Sequence, residues 1–429
     1  MPHEKAKIFI VGFLIFCLFC RKNRTMKNRF FLPLGLAVLL SGCVFLDDGL
    51  TGSRSRADCS RDGTVQSGPQ KPAGSRPDTP AAADTVLYFS AIRFPADYDW
   101  QRDTAYGSVG FELLLFRNGE AVQTLTSGPG VPFVPDPDRH HILSGRLYSE
   151  RMLGGETLIG RDGQELFRFA GREFLLGLLE DDGDLHTLSR PAGGQGFSYR
   201  RNGQLLMQHP DGTPYGNLSD PSYGPSGALY RDGGKICFCY HEGSEGMRSH
   251  FLVCDGETTR MTNIQPAQTV LDLKLHDGTG VALYPSLLLN RLSEGRIWPE
   301  KSGHAVTGRF SDGTGGWFSG YLDAGSWSVQ HRLCDEEAAL YHTSEASFAV
   351  STDGDGTVRW YGPDGAGRSD GACFFFSPAC ATAAGARLFL ALTPKDRSRP
   401  PQIRIGGQVR EIDLWGYISR VAVEVSPPS

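Results

Sequence analysis

Residues 174–210 read FLLGLLED, DGD, LHTLSRP, AGGQG, FSYRRNG and QLLMQHP in succession. Short apolar stretches alternate with clusters of Gly, Asp, Asn and Pro, and no helical period lasts beyond two turns. Such runs, bounded by turn residues, are the pattern of short β-strands. The Asn202-Gly203 pair suits a two-residue hairpin, because both central residues of a type I′ turn need positive φ. This stretch therefore predicts four antiparallel strands joined in order.

The pattern repeats outward in both directions. Strand, Asn-Gly or Asp-Gly, strand recurs at Asn118-Gly119, Asp162-Gly163 and Asp255-Gly256, with degenerate copies at Glu294-Gly295 and Gly406-Gly407. Successive spacings from residue 118 to residue 294 are 44, 40, 53 and 39 residues. One hairpin per roughly 40–45 residues with four strands per unit is the period of a β-propeller blade. Downstream, ALYRDGG, KICFCYHE, SHFLVCDG and ETTRMT supply the next unit, and residues 268–298 a third. The first full unit lies between His140 and Phe169, and the last is ARLFLALTP, QIRIGG and VREIDLWG. Between 305 and 372 the register blurs. The 54 glycines fit an all-β chain punctuated by tight turns.

Val86 opens a unit with only three strands, and YISRVAVEV (417–425) is a spare strand at the other end. Pairing the two removes free edges. The expectation is an all-β propeller of four-stranded antiparallel blades over residues 86–425. Seven blades fit best, with six or eight as alternatives, closed by the C-terminal strand.

The segment before the propeller differs. Residues 44–85 are rich in Ser, Gly, Pro, Ala and alternating charges, and predict a flexible tether. Met26 to Cys43, MKNRFFLPLGLAVLLSGC, has a short basic start, an apolar run from Phe30 to Leu40 and a small-residue exit. That is the order of a secretory signal peptide, and the run is shorter than the roughly 17–25 residues a spanning helix needs. Leu40-Ser41-Gly42-Cys43 resembles the signal of bacterial lipoproteins. The resemblance implies lipidation of Cys43 as the first mature residue and anchorage to a cell-envelope membrane. Val44 rather than Asp after the cysteine implies the outer membrane, on its periplasmic or its surface side. Residues 1–25 carry a second apolar run and predict an upstream extension missing from the mature protein.

Removing residues 1–43 takes 7 of 43 basic and 1 of 48 acidic residues, leaving 36 against 47 and a net charge of −11. An acidic surface excludes nucleic acid as the main partner. Beyond Cys43 the cysteines are Cys59, Cys237, Cys239, Cys254, Cys334, Cys373 and Cys380, with no C-x-x-C pair. Cys237 and Cys239 point the same way from one strand. A bridge from Cys254 to either is open, and otherwise these residues read as small buried apolar side chains.

Tight connections alternate with long ones: residues 95–109, 126–139, 211–226 and 241–249. In a propeller the long classes share a face, and long loops are often functional. The loop PADYDWQRDTAYGSV places Tyr98, Trp100 and Tyr106 among Asp97, Asp99, Arg102 and Asp103, a set suited to sugar or protein recognition. The same rings could instead pack on a neighbouring blade. Arg139, His140 and His141 open the strand nearest the axis in the next unit, so Arg139 and His140 join the binding candidates. Adjacent strand residues face opposite sides, so His140 and His141 predict no shared metal site. No serine-hydrolase elbow, zinc-protease, phosphate-loop or dinucleotide motif is present, and no cofactor is expected. Acidic clusters at Asp181-Asp182-Asp184, Asp335-Glu336-Glu337 and Asp353-Asp355 read as solvated turns. The last, within Ser351 to Thr357, faintly resembles the Asp-box hairpin of sialidase-type propellers, without its glycine at 355 or aromatic at 358. The resulting expectation is a lipid-anchored binding or scaffold protein that presents a loop face to a protein or glycan. The rival is a glycan-active hydrolase or lyase whose carboxylates converge from separate blades.

Overall fold

In the computed structural model the described residues run from 85 to 425. Residues 103–108, 128–138, 216–227, 245, 266–267, 277–278, 288–289, 301–302 and 324–329 are excluded. Cys43, Tyr106, the signal segment and the tether lie outside them. The chain divides into a unit of residues 1–76 and one of residues 77–429, and only the second is described. No described helix is long and apolar enough to cross a membrane.

The described residues form an all-β protein of the propeller type, a succession of antiparallel meanders. The first sheet holds β1 (Thr85–Arg93), β2 (Glu112–Arg117) and β3 (Glu120–Thr126). Its fourth member is the last strand of the chain, β32 (Gly416–Val425), in the order β3-β2-β1-β32. β32 runs antiparallel to β1 from Thr85 opposite Val425 to Arg93 opposite Gly416, so the pairing of chain ends expected from the sequence is present. The second sheet is β4 (His140–Leu143), β5 (Arg146–Leu153), β6 (Glu156–Arg161) and β7 (Gln164–Ala170). The third is β8 (Glu173–Asp181), β9 (Asp184–Pro191), β10 (Phe197–Arg201) and β11 (Gln204–His209), the unit read first from sequence.

After this the regularity loosens, and the expectation of seven uniform four-stranded blades does not hold. In the fourth sheet two short strands, β12 (Thr213–Pro214) and β13 (Tyr230–Asp232), share one edge of β14 (Lys235–Glu242). β15 (Ser249–Cys254) and β16 (Glu257–Arg260) complete that sheet. Among the described residues β17 (Asp272–His276) and β18 (Thr279–Leu283) pair with each other and with no further strand. A five-stranded sheet follows: β19 (Ser286–Leu287), β20 (Asn290–Glu300), β21 (Gly303–Ser311), β22 (Trp317–Leu322) and β23 (Gln330–Cys334). The last sheet has eight strands. One meander is β24 (Ala339–His342), β25 (Ser347–Thr352), β26 (Thr357–Tyr361) and β27 (Gly367–Phe375). The other is β28 (Ala381–Ala384), β29 (Arg387–Pro394), β30 (Gln402–Ile405) and β31 (Gln408–Glu411), fused to the first by pairing of β27 with β29. Elsewhere neighbouring sheets meet through side chains rather than a continuous backbone ladder.

The turn chemistry explains the repeat. Asn118, Asp162, Asn202 and Asp255 all have positive φ, between 48° and 57°, and each is followed by a positive-φ glycine, as the hairpin reading requires. Each also hooks onto a strand of its own sheet. The amides of Leu87, Leu147, Leu185 and Ile236 donate to these side-chain oxygens at 2.8–3.1 Å. Each turn amide donates back to the same residue's carbonyl at 2.7–2.9 Å. At Gly406, φ 56°, only the backbone half survives, a 3.0 Å bond to Leu388 O, because glycine has no side chain. Glu294-Gly295 is not a hairpin. It lies inside β20, where a register shift between Leu292 and Glu294 bulges the strand.

Burial grades across each sheet. β9 and β14 each hold a run of five buried residues, whereas the outer strands β3, β11, β16 and β31 are largely exposed. The middle strands have sheets on both faces, which accounts for near-continuous apolar runs such as KICFCY and RLFLAL. One core joins the first and last sheets: Phe89, Ala91, Leu114, Phe389, Ile403, Ile412, Leu414 and Ile418. Each such side chain contributes about 1.5–3 kcal/mol of burial free energy.

Candidate ligand cleft at the meeting of the chain ends

Where the β1–β2 loop meets the segment from β29 to β32, a cleft of about 250 Å³ opens. Its walls are Trp100 and Gln101 from the first loop, Thr393 and Pro394 at the end of β29, Arg397 to Pro401 after it, and Asp413 to Gly416 leading into β32. The long-range β1–β32 pairing brings these segments together, because it stations residues 94–101 beside 413–417. The Phe94 amide donates to Trp415 O at 3.0 Å, and Trp415 Nε1 donates to Tyr98 O at 3.1 Å.

Aromatic packing fixes one wall. Trp100 is 4% exposed. It stacks on Phe94 at 6.1 Å, meets Phe374 of β27 edge-on at 4.9 Å, and lies 6.4 Å from Trp415 at 83°. Its indole N–H has no acceptor. Trp415 is 38% exposed and offers part of its ring to solvent. The charges divide into two sets. Arg397 donates to Gln101 Oε1 at 2.9 Å and also binds Asp99. That arginine, with Arg102 at 3.6 Å, holds the Asp99 carboxyl below the usual carboxylate range. Among the described residues Arg399 and Asp413 are exposed and their side chains make no hydrogen bond or salt bridge, Arg399 acting through space on Asp396. The cleft thus offers a Trp415 face, one uncommitted cation and one uncommitted anion.

The sequence-predicted residues fall as follows. Trp100 lines the cleft and Tyr98 lies beside it, but their rings chiefly pack the loop onto Phe94 and neighbouring aromatic residues. Arg102 is exposed beside Asp99. Arg139 and His140 are elsewhere. Arg139 lies 3.5 Å from Glu150 and 4.6 Å above the Phe174 ring. His140 is fully buried, its Nε2 at 2.7 Å from Ser90 Oγ and 3.2 Å from Ser419 Oγ, so it ties β4 to the β1–β32 pair. His141 faces away from it, and its two ring nitrogens have no hydrogen-bond partner. Among the described residues no three His, Cys, Asp or Glu side chains gather as a metal-ligand set. Trp415, Arg399 and Asp413 were missed. The DLWG stretch was visible, but only the pairing of the chain ends brings it beside the first loop.

Three buried acidic residues, Glu173, Glu150 and Asp272, are committed, while among the described residues Glu180 Oε2 is buried without a hydrogen bond. Glu173 takes two hydrogen bonds from Arg200, both 2.8 Å, and a third from Ser189. Glu150 Oε1 accepts from Leu175 N at 3.3 Å, and Asp272 Oδ2 accepts from Ile297 N at 2.9 Å. The acidic turns are likewise engaged: Asp181 with Arg231, Asp184 with Arg201, Glu336 and Asp353 with Arg359, and Glu337 with Arg309. Of the two bridges left open from Cys254, the structure has Cys237–Cys254, between directly paired residues. Cys239, Cys334, Cys373 and Cys380 are buried free thiols.

The sequence matches no protein-family model and no curated protein. Among solved structures it is similar to the β-propeller domain of the trilobed protease from Pyrococcus furiosus, at 8% identity over 77% of this chain and 95% of that one, TM-score 0.38. It is also similar to Sqt1 from Saccharomyces cerevisiae, at 10% identity over 71% and 78%, TM-score 0.30. A third is an endo-arabinase from Bacteroides thetaiotaomicron, at 12% identity over 58% and 97%, TM-score 0.22.

Proposed function

We propose that this chain is a glycan-binding module of the bacterial cell envelope, anchored through lipidated Cys43 to the outer membrane. Its sheets act as blades of a ring that displays the cleft at the meeting of the chain ends. The observation carrying the binding function is the pairing of the half-exposed Trp415 ring with the uncommitted Arg399 and Asp413. A sugar ring lays its C–H face on an indole and fills flanking polar groups with its hydroxyls. The anchor rests on Leu40-Ser41-Gly42-Cys43 alone, and about 40 tether residues give a reach of roughly 35 Å from the bilayer.

Binding is favoured over hydrolysis by the count of carboxylates at the cleft. Glycoside hydrolysis uses two, roughly 5–9.5 Å apart. Among the described residues that line the cleft, Asp413 is the sole carboxylate. Calorimetric titration with soluble envelope oligosaccharides tests the reading. Saturable heat that disappears in Trp415→Ala is the expected result; identical titration curves for the parent and that variant would refute the site.

A further inference from the structure

The end of the β14–β15 hairpin carries a second polar cluster, far in function from the aromatic cleft. Arg248 and His250 are two residues apart and so share a face, and His250 lies directly opposite His241 on the neighbouring strand. The imidazole centroids of His241 and His250 are 6.4 Å apart. Tyr215 covers the same face, 5.3 Å from the His241 ring and 6.0 Å from the His250 ring. His250 is 1% exposed, while His241 and Arg248 are half-buried.

Three buried nitrogens here have no hydrogen-bond partner: His241 Nδ1, Arg248 Nε and His250 Nε2. One is fixed as a donor: Arg248 Nε always bears its proton. Tyr215 Oη lies 2.6 Å from His250 Nδ1, a bond whose direction follows the imidazole tautomer. When the phenol donates to Nδ1, the proton of the neutral imidazole is on Nε2. In that tautomer two buried N–H groups lack an acceptor, and an orphaned buried donor costs about 1–3 kcal/mol. Among the described residues no carboxylate answers them. Glu242, next to His241, points to the other face and binds His209 at 2.7 Å. Asp272, across the sheet interface, is committed to Ile297 N. Cys239 and Tyr284 are the other titratable side chains acting on Tyr215, and neither is a carboxylate.

We propose that Arg248, His250 and His241 form a binding site for a small oxyanion, phosphate-like or carboxylate. A bound oxygen accepts from Arg248 Nε and His250 Nε2 and draws a proton onto His241 Nδ1. The donor set argues against a metal ion, since a guanidinium stands where a ligand would be. Empty, the cluster repels protons: burial, with Arg248 and His250, lowers the His241 pKa to about 4, and burial with Arg248 lowers that of His250. Anion binding reverses this sign, so affinity rises as pH falls from 7 to 5.

The test is histidine ring 15N NMR of the intact secreted chain, titrated at pH 6 with inorganic phosphate, sulfate and acetate, with chloride as the ionic-strength control. The expected result is saturable movement of the His250 and His241 nitrogens by one or more of the oxyanions and not by chloride. Whether phosphate or acetate acts more strongly identifies the class. Arg248→Gln and His241→Asn should each weaken binding about tenfold or more. If Arg248→Gln fails to fold, the half-buried His241→Asn and the parent titration still decide. Resonances that stay fixed in every oxyanion, move equally with chloride, or move as before in both variants would overturn the proposal.

Discussion

Ile418 is the residue through which the pairing of the chain ends can be weighed. It is fully buried in β32 and packs in the core shared with Phe89, Ala91, Phe389, Ile412 and Leu414. Ile418→Ala removes a buried branched side chain and leaves a cavity that these neighbours, held in two different sheets, fill only in part. Such substitutions cost about 2–5 kcal/mol, and the full burial of the site points to the upper half. A chain of this kind has total stability of about 5–15 kcal/mol, so the variant should still fold. Its urea midpoint should drop with an unchanged slope, as for loss of stability without a change in exposed surface. Deleting residues 417–429 is far harsher. It removes Tyr417, Ile418 and Val421 from the core and bares the edge of β1, and the truncated chain should aggregate or unfold without cooperativity. A fall of under about 1 kcal/mol for Ile418→Ala, or a monomeric truncated chain as heat-stable as the parent, would refute this account of β32.

Other outcomes follow from single contacts. Glu173→Gln leaves Arg200 buried without its counter-charge and should cost about 3–5 kcal/mol in urea unfolding. Burial beside Arg420, His140 and Arg139 holds His141 well below its ordinary pKa, and His241 and His250 are also lowered. The unfolded chain therefore binds more protons below pH 6.5, and stability should fall as pH drops from 6.5 towards 4, by at most about 1.4 kcal/mol per pH unit per imidazole. Thermal melts in anion-poor buffer should show that slope, flatter in His141→Asn. The Cys237–Cys254 bridge closes a loop of sequence separation 17, and its reduction should cost about 3 kcal/mol. Peptide mapping without reductant should find Cys254 joined to Cys237 and never to Cys239. Cys43→Ala should move the protein to the soluble fraction after cell breakage; unchanged membrane association would exclude the lipid anchor.

The strand-and-turn texture was legible because it is local. Asn118, Asp162, Asn202 and Asp255 announce positive-φ turns in their own dipeptides, and the structure adds that each side chain clasps a strand of its own sheet. Glu294-Gly295 imitated that signal, since a glycine serves a bulge as readily as a turn. The blade count was less legible. Whether β17–β18 gains further strands, or β27 bridges to β29, depends on tertiary contacts that leave no period in the sequence. The loop around Tyr98 and Trp100 was found by its aromatics, yet burial turned those rings inward and left Trp415 exposed. Arg399 and Asp413 lie some 300 residues further along and join the cleft only through the β1–β32 pairing. The His241–Arg248–His250 cluster was equally hidden, because it needs the register of β14 against β15.

The central claim is that the cleft binds a glycan without cleaving it. The direct measurement is a titration of the purified Cys43→Ala chain with envelope oligosaccharides. Tryptophan emission and release of new reducing ends are followed in the same samples. The account predicts a saturable emission change, lost in Trp415→Ala and weakened in Arg399→Gln and Asp413→Asn, with no reducing ends released. Release of reducing ends that stops in Asp413→Asn, or a binding signal untouched by Trp415→Ala, would contradict it.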